Sequence, residues 1–287
     1  MISRLTLPAP AKLNLFLHVL GRRADGYHQL QTVFQLLDYG DELTITARAH
    51  PKVTLQCNID RLNTTDNLVL RAASLLRDFA RVSQGAHIQL DKRLPMGGGL
   101  GGGSSDAATT LLGLNQLWQC RLDIEALAEL GRQLGADVPV FIRGHSAFGE
   151  GVGERLQVID LPEIYYLVLT PDCAISTAEI FAHPELTRDS TAITVPAFFE
   201  QGGRNDCQPL VEKLYPEVKN ALSWLSHYTA AQKPRMSGTG ASVFASFQSA
   251  EAAQSVLAQS PWPGFVARGI NQSPVHEILS KHCTNFE

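Results

Sequence analysis

The chain has 287 residues, enough for one large or two ordinary domains around a sizeable core. Hydrophobic residues make up 44% and charged residues 18%, with a formal net charge of -4. These values exclude a disordered chain and argue against nucleic acid or an anionic membrane surface as partner.

From residue 11 to 20 the segment AKLNLFLHVL alternates, with Lys12 and Asn14 on one side and Leu13, Leu15 and Leu17 on the other. A period of two predicts a half-buried strand with polar groups on one face. Asp25-Gly26 marks a turn that exposes Tyr27 and His28. DELTITAR and KVTLQC read as strands rich in Thr, Val, Ile and Leu. TTDNLVLRAASLLRDFARV predicts an amphipathic helix in which Leu68, Ala72, Leu75, Leu76 and Phe79 share a face, started by a Thr or Asp. AHIQLDKRLP reads as a strand leading into a glycine loop. SSDAATTLLGLNQLW and DIEALAELGRQLG read as helices, the second stopped at Gly135.

VPVFIRG, SAFGEGVGERLQVI and EIYYLVLTP read as strands, STAEIFAH as a short helix, and NDCQPLVEKLYPEVKNALSWLSHY as a helix broken at Pro216. PRMSGTGASVFASF is a glycine turn and a strand, followed by a helix (AEAAQSVLAQS) and a last strand (GFVARGI). Strict strand-helix alternation is missing, which favours an α+β chain. A mixed pattern restarts near Leu161, so the expected domains are 1–160 and 161–287.

No run of about 18 apolar residues is present. Pro8, Pro10, Lys12 and Asn14 interrupt the apolar N-terminus, so a soluble, cytoplasmic protein without a signal peptide is expected. The five cysteines, Cys57, Cys120, Cys173, Cys207 and Cys283, have neither metal-ligand spacing nor a nucleophile context, which suits reduced thiols. His18, His50, His87, His145, His183, His227, His276 and His282 form no HExxH-type pattern, so no protein-bound metal is expected.

Between Met96 and Ser104 the chain has six glycines and one leucine. Glycine costs folding entropy, but it lets backbone N–H groups converge on an anion. A helix follows at once, adding free N–H groups and a dipole that favour phosphate. Ser104 and Ser105 can cap that helix, touch phosphate or ligate Mg²⁺. Three other readings stand beside this one. A Walker loop needs Gly-Lys-Ser/Thr, and no Lys follows these glycines. Gly97, Gly99 and Gly102 fit the dinucleotide pattern GxGxxG, but the flanking βα repeat is missing. A plain linker would not run directly into Ser-Ser-Asp and a strong helix.

Asp137, in GADVPVF, lies between a helix stop and an apolar strand. There a carboxylate is either rigid and partly desolvated or caps local N–H groups. Lys12 is either a solvated strand lysine or a cation aimed at a partner. Tyr27 beside His28 can stack on a base and hydrogen-bond its edge, or be a plain surface pair.

PMGGGLGGGSSDAA, from Pro95 to Ala108, resembles the central motif of the galactokinase, homoserine kinase, mevalonate kinase and phosphomevalonate kinase superfamily. PAPAKLNLFLHVLGRRADGYHQLQTVFQ, GADVPVF and MSGTGASVF resemble its other motifs in the expected order, so the likeness spans nearly the whole chain. It implies an α+β two-domain small-molecule kinase with the active site in the interdomain cleft. ATP, as co-substrate accompanied by Mg²⁺, would be held by Pro95, Met96, Gly97, Gly98, Gly99, Leu100, Gly101, Gly102, Gly103, Ser104 and Ser105. Asn67, Leu68 and Lys92 would lie on the adenosine side. Asp137 would take the proton of an alcohol as it attacks the γ-phosphate, with Lys12 facing it to keep it ionised and offset charge.

The double glycine triplet and the SSDAA ending resemble one branch, whose acceptor carries a cytidine diphosphate group in the non-mevalonate isoprenoid pathway. Tyr27 and Phe181 would then sandwich the cytosine, His28 would read its edge, Asn14 would position the acceptor, and Thr177 would join the polyol region. A second reading takes another alcohol, such as homoserine or mevalonate; a third is a non-catalytic ATP-binding protein. The Tyr27-His28 pair favours a base-bearing acceptor, and the joint presence of Lys12 and Asp137 speaks against the third. The expected partner is a small molecule, with no nucleic acid and no membrane, and the chain is expected as a monomer or weak homodimer.

Overall fold

The computed structural model describes residues 3–228 and 233–283. Two long strands, β1 (Arg4–Arg22) and β2 (His28–Arg48), pair antiparallel over most of their length. The turn at Asp25-Gly26 joins them, and β2 takes in His28 and the residues after it, well before DELTITAR. After them come β3 (Val53–Cys57), α1 (Leu68–Ala80), β4 (Gly85–Asp91), α2 (Gly102–Leu117), α3 (Ile124–Arg132) and α4 (Val138–Arg143). The hairpin β5 (Ala147–Gly151) and β6 (Arg155–Val158) leads to β7 (Tyr165–Leu169), α5 (Thr177–Ala182), α6 (Val195–Gln201), α7 (Gln208–Leu214) and α8 (Pro216–Ser226). The chain ends with β8 (Arg235–Met236), β9 (Val243–Phe247), α9 (Ala250–Leu257), β10 (Gly264–Ile270) and α10 (Pro274–Cys283).

The strands form one sheet ordered β3-β4-β2-β10-β7-β9-β8, with β1 and β5 also on β2 and β6 on β5. β2 therefore joins both halves of the chain: Leu36 pairs with Lys12 of β1 and with Ile270 of β10. Helices cover the sheet because its strands are apolar on both faces over long stretches. In β1, residues 9–19 are all buried, so the polar face carrying Lys12 and Asn14 is covered, and the expected half-buried strand is corrected to a fully buried one. Desolvating those polar groups is tolerable only if each finds a partner.

Several local expectations change in the same way. VPVFIRG is not a strand but α4, with Pro139 in its first turn and Gly144 at φ 69 closing it. Proline is tolerated in a first turn, where its missing N–H is not needed, so the apolar run can bury as a helix. The helix start of α1 is Asn67, whose Oδ1 accepts from the Val69 N–H, not a Thr or Asp. Phe79 is 58% exposed, and Val69, Ala72, Ala73 and Leu76 form the buried stripe. α6 and α10 were not expected. α10 follows the strand that was read as the last, and it packs on β1 and α2. Val275 and Ile270 belong to the same core as Leu7, Leu111 and Val138, so the end of the chain returns to its first half.

A second core gathers Leu167, Ile180, Val211, Leu222 and Val243. Cys57, Cys120, Cys173 and Cys207 are free thiols. The side chains of His282 and Cys283 lie outside the described residues. Among the described residues no helix is long and apolar enough to cross a membrane.

Candidate active site

The glycine run forms a loop that opens α2. That helix starts at Gly102, capped by Gly101 at φ 73, with no side-chain cap. Ser104 and Ser105 are thus inside the first turn and do not cap it, a correction to the expected helix start at the serines. An uncapped helix start leaves N–H groups free for an anion. Gly101 must lack a side chain, since a Cβ would stand 2.7 Å from the Phe141 ring of α4. Gly99, at φ 73, must lack one because a Cβ would collide with the Ser237 carbonyl. A cavity of about 330 Å³ lies against the loop, lined by residues 95–104 with Leu62, Asn67, Leu68, Leu90, Lys92 and Asp106.

Beneath the loop, Lys12 is 3% exposed, and its ammonium meets three acceptors, as many as it has protons to donate. They are the Gly99 carbonyl at 3.1 Å, the Asp137 carboxylate at 3.1 Å and the Asn14 side-chain oxygen. Asp137 stands at the N-cap of α4 yet makes no cap hydrogen bond, so the capping alternative does not hold. Its side chain is about one-third exposed (32%), against 4% for that of Lys12. Asn14 donates to Thr32 Oγ1 at 2.8 Å, and its backbone N–H donates to Ser237 Oγ. Ser237 in turn donates to the Gly99 carbonyl at 2.8 Å. The Ser237-Gly238-Thr239-Gly240 turn therefore docks on the glycine loop, and both halves of the chain meet there.

Lys92 lines the cavity, but its ammonium is taken by Asp41 at 2.5 Å and Asp106 at 2.8 Å. All three side chains are buried. Burial opposes the charge on Lys92, but the two carboxylates outweigh it and hold its pKa above the ordinary value. Burial, only partly offset by the Lys92 charge it must share with Asp41, pushes the Asp106 carboxyl up to about 7. Asp41 also accepts from the N–H groups of Arg93 and Leu94, which anchors the strand that enters the loop. Lys92 supports the loop from below. Asn67 caps α1 and donates to the Leu62 carbonyl while lining the same cavity.

A third cluster surrounds His28. Its ring lies 5.2 Å from that of Phe181, inclined by 30°. Arg188 donates from Nε to His28 Nε2 at 3.0 Å, and from its other nitrogens to the carbonyls of Phe181, His183 and Leu186. An imidazole nitrogen that accepts from arginine is deprotonated, so His28 carries its proton on Nδ1. Burial, then the Arg188 and Arg22 charges, hold His28 below its ordinary pKa. Tyr27, next to His28, is 66% exposed. Thr177 starts α5, with its hydroxyl 2.8 Å from that of Thr239.

The structure thus brings Lys12, Asn14, Asp137 and the loop together, sets Thr177 against Thr239 of the turn that docks on the loop, and sets Phe181, on the same helix as Thr177, against His28. Sequence reasoning missed Asp41, Asp106, Thr32 and Arg188. Asp106 was visible inside the SSDAA motif, but the lone Arg188 carried no local signal.

Residues 67–145 match the GHMP kinases N terminal domain, and residues 194–261 match the GHMP kinases C terminal domain. The chain is 56% identical to the 4-diphosphocytidyl-2-C-methyl-D-erythritol kinase of Ectopseudomonas mendocina (strain ymp) over 279 residues, covering 96% of this chain and 95% of that protein. It is 56% identical to the enzyme of the same description from Pseudomonas aeruginosa (strain UCBPP-PA14), covering 97% and 99%. A crystal structure of 4-(cytidine 5'-diphospho)-2C-methyl-D-erythritol kinase superposes with a TM-score of 0.80 at 32% identity, covering 93% of this chain and 100% of that one. A crystal structure of mevalonate kinase superposes with a TM-score of 0.69 at 15% identity, covering 93% and 100%, which speaks to the fold alone. The chain belongs to the GHMP kinases and, within them, to the 4-diphosphocytidyl-2-C-methyl-D-erythritol kinase family.

Proposed function

We propose that the chain transfers the γ-phosphoryl group of ATP to the 2-hydroxyl of 4-diphosphocytidyl-2-C-methyl-D-erythritol, giving the 2-phosphate and ADP, in the non-mevalonate route to isoprenoid precursors. The observation that carries the mechanism is the Lys12 ammonium, 3.1 Å from both the Gly99 carbonyl and the Asp137 carboxylate. One cation thereby ties the phosphate loop to a base. Asp137 accepts the hydroxyl proton, the alcohol oxygen bonds to the γ-phosphorus, and the bond to the β-phosphate oxygen breaks with its electrons leaving on ADP. Lys12 pairs with the Asp137 carboxylate and offsets charge on the transferred group. Loop N–H groups and the open end of α2 hold the phosphates. Asn14 fixes the Lys12 ammonium and fronts the acceptor.

Among the described residues no group of three or more His, Cys, Asp or Glu side chains could hold a metal ion. Mg²⁺ accompanying the nucleotide would neutralise part of the phosphate charge. His28 with Phe181 and the exposed Tyr27 take the cytosine, and Thr177 with Thr239 take the polyol region. The chain divides near residue 160, with α10 returning to the first half, and acts in the cytoplasm as a monomer or weak homodimer. The test is an ADP-release assay across acceptors. Turnover with the cytidyl acceptor and none with homoserine or mevalonate is expected; the reverse pattern overturns the assignment.

A further inference from the structure

A larger cavity, about 740 Å³, shares no residue with the one at the glycine loop. Its lining combines aromatic rings with basic side chains. Phe198, Tyr166 and Phe244 are buried in its wall, and Phe199 is 50% exposed. Arg235 of β8 is its inner cation. One guanidinium nitrogen donates to the Leu15 carbonyl at 2.7 Å, and the other terminal nitrogen lies against Gly202, where a Cβ would come within 3.2 Å. No other hydrogen bond or carboxylate partner of Arg235 occurs among the described residues. Glu200 is the one carboxylate on the lining, and it is exposed and unpaired with Arg235.

Arginine has five N–H donors, and a largely buried cation without a counter-charge is costly. Burial accordingly lowers its pKa, with only Tyr166 acting against this. Lys233 and Arg204 add two exposed cations to the lining, Arg204 being paired with Asp206. Arg235 and Lys233, the two of these cations without a carboxylate partner among the described residues, suit a doubly charged phosphate better than a single carboxylate, and planar guanidinium meets phosphate with paired hydrogen bonds. Phe199 offers an apolar surface for the body of such a ligand.

We propose that this cavity is a second ligand site, for a small organic phosphate whose head pairs with Arg235 and whose apolar or aromatic body lies on Phe199. The site adjoins the Lys12 network without being part of it. Leu15, which accepts from Arg235, follows Asn14, and Arg235 lies two residues before Ser237.

The experiment is calorimetric titration of the full chain with phenyl phosphate, the glycine-loop site being saturated with adenylyl imidodiphosphate. Saturable binding is expected, weakened at least about tenfold in Arg235→Gln and by a smaller factor in Arg235→Lys, which keeps the charge but loses the paired hydrogen bonds. Phe199→Ala, at an exposed position, is expected to weaken binding about threefold or more. Phenol, which has the body without the charge, is expected to bind at least about tenfold more weakly. If Arg235→Gln does not fold, as its melting curve reveals, Phe199→Ala and phenol decide. Absence of saturable binding up to about 10 mM, equal affinity in folded Arg235→Gln, an unchanged affinity in Phe199→Ala, or phenol binding as well as phenyl phosphate each overturns the proposal.

Discussion

Lys12 and Lys92 both bring a buried ammonium to the glycine loop, one at Gly99 and the other beneath Gly102, where a Cβ would stand 2.9 Å from its nitrogen. Lys92 is closed off, held between Asp41 and Asp106, whose side chains are as buried as its own. Lys12 is open at one side. Two of its acceptors are neutral, and the third, Asp137, is about one-third exposed. A cation whose charge is already matched by two buried carboxylates has little charge left to offer a substrate. A cation whose counter-charge faces solvent can share it with a reacting group. Burial alone therefore does not separate a supporting lysine from a catalytic one; the exposure of the partner does.

The largest effect that sharpens this contrast is on turnover. Asp137→Asn is expected to lower kcat by about 10²- to 10⁴-fold while nucleotide affinity changes by less than about threefold. Steady-state kinetics with a separate nucleotide titration checks it, and near-normal turnover in Asp137→Asn removes the base role. Lys92→Met is expected to cost about 3–5 kcal/mol of folding stability, since two carboxylates are left buried without a cation. Denaturant unfolding measures it. A Lys92→Met chain that unfolds like the parent but loses phosphoryl transfer would reverse the roles of the two lysines.

Next come the glycines. Gly99→Ala is expected to cost about 1–3 kcal/mol in stability or nucleotide binding, because it combines a left-handed backbone with a clash at Ser237. Gly97, also left-handed at φ 65, has nothing within 4 Å of a Cβ, so Gly97→Ala is expected to cost only about 1 kcal/mol. Parallel melting curves and ATP titrations compare them, and equal losses would mean that Ser237 yields.

The smallest expected effect lies at the acceptor end. Arg188→Gln is expected to raise the acceptor KM about tenfold with kcat nearly unchanged, because four hydrogen bonds tie His28 to the α5 segment through Arg188. It should also show in the pH profile. His28 is held below its ordinary value of 6.5, so its neutral form, which accepts from Arg188, is fully present above that value. It is lost as pH falls through the depressed value. The unfolded chain takes up this proton first, so acidification below 6.5 also lowers stability. Arg188→Gln removes the second cause of the depression while burial remains, and the acid limb should move partly toward 6.5. An acid limb that does not move shows that Arg188 only packs the segment.

Much of this was legible in the sequence where a signal is local. The glycine run announced the loop that opens α2, and Asp25-Gly26 announced the turn, which exposes Tyr27 but leaves His28 buried as the first residue of β2. Helices with strong caps, such as the one Asp123 starts, were found within a few residues. The misses share one cause. VPVFIRG is an apolar run too short for periodicity to separate strand from helix, and its one local sign of a helix is Pro139, which a first turn tolerates. Leu68, Leu75 and Phe79 suited one face of α1 on paper, but the sheet and α2 selected the face with Val69 and Ala73.

The sequence by itself determined the chemistry available to this protein: a run of glycines that opens directly into a helix, one lysine and one aspartate in motifs that resemble the family's, and an aromatic beside a histidine. Those properties belong to residue type and short spacing. Only the tertiary structure decided which groups meet. Lys12 and Asp137 are 125 positions apart in the chain, and Arg188 reaches His28 across a sequence separation of 160. Lys92 met two buried carboxylates and Lys12 one that is about one-third exposed, and burial is a property of packing that no short segment contains.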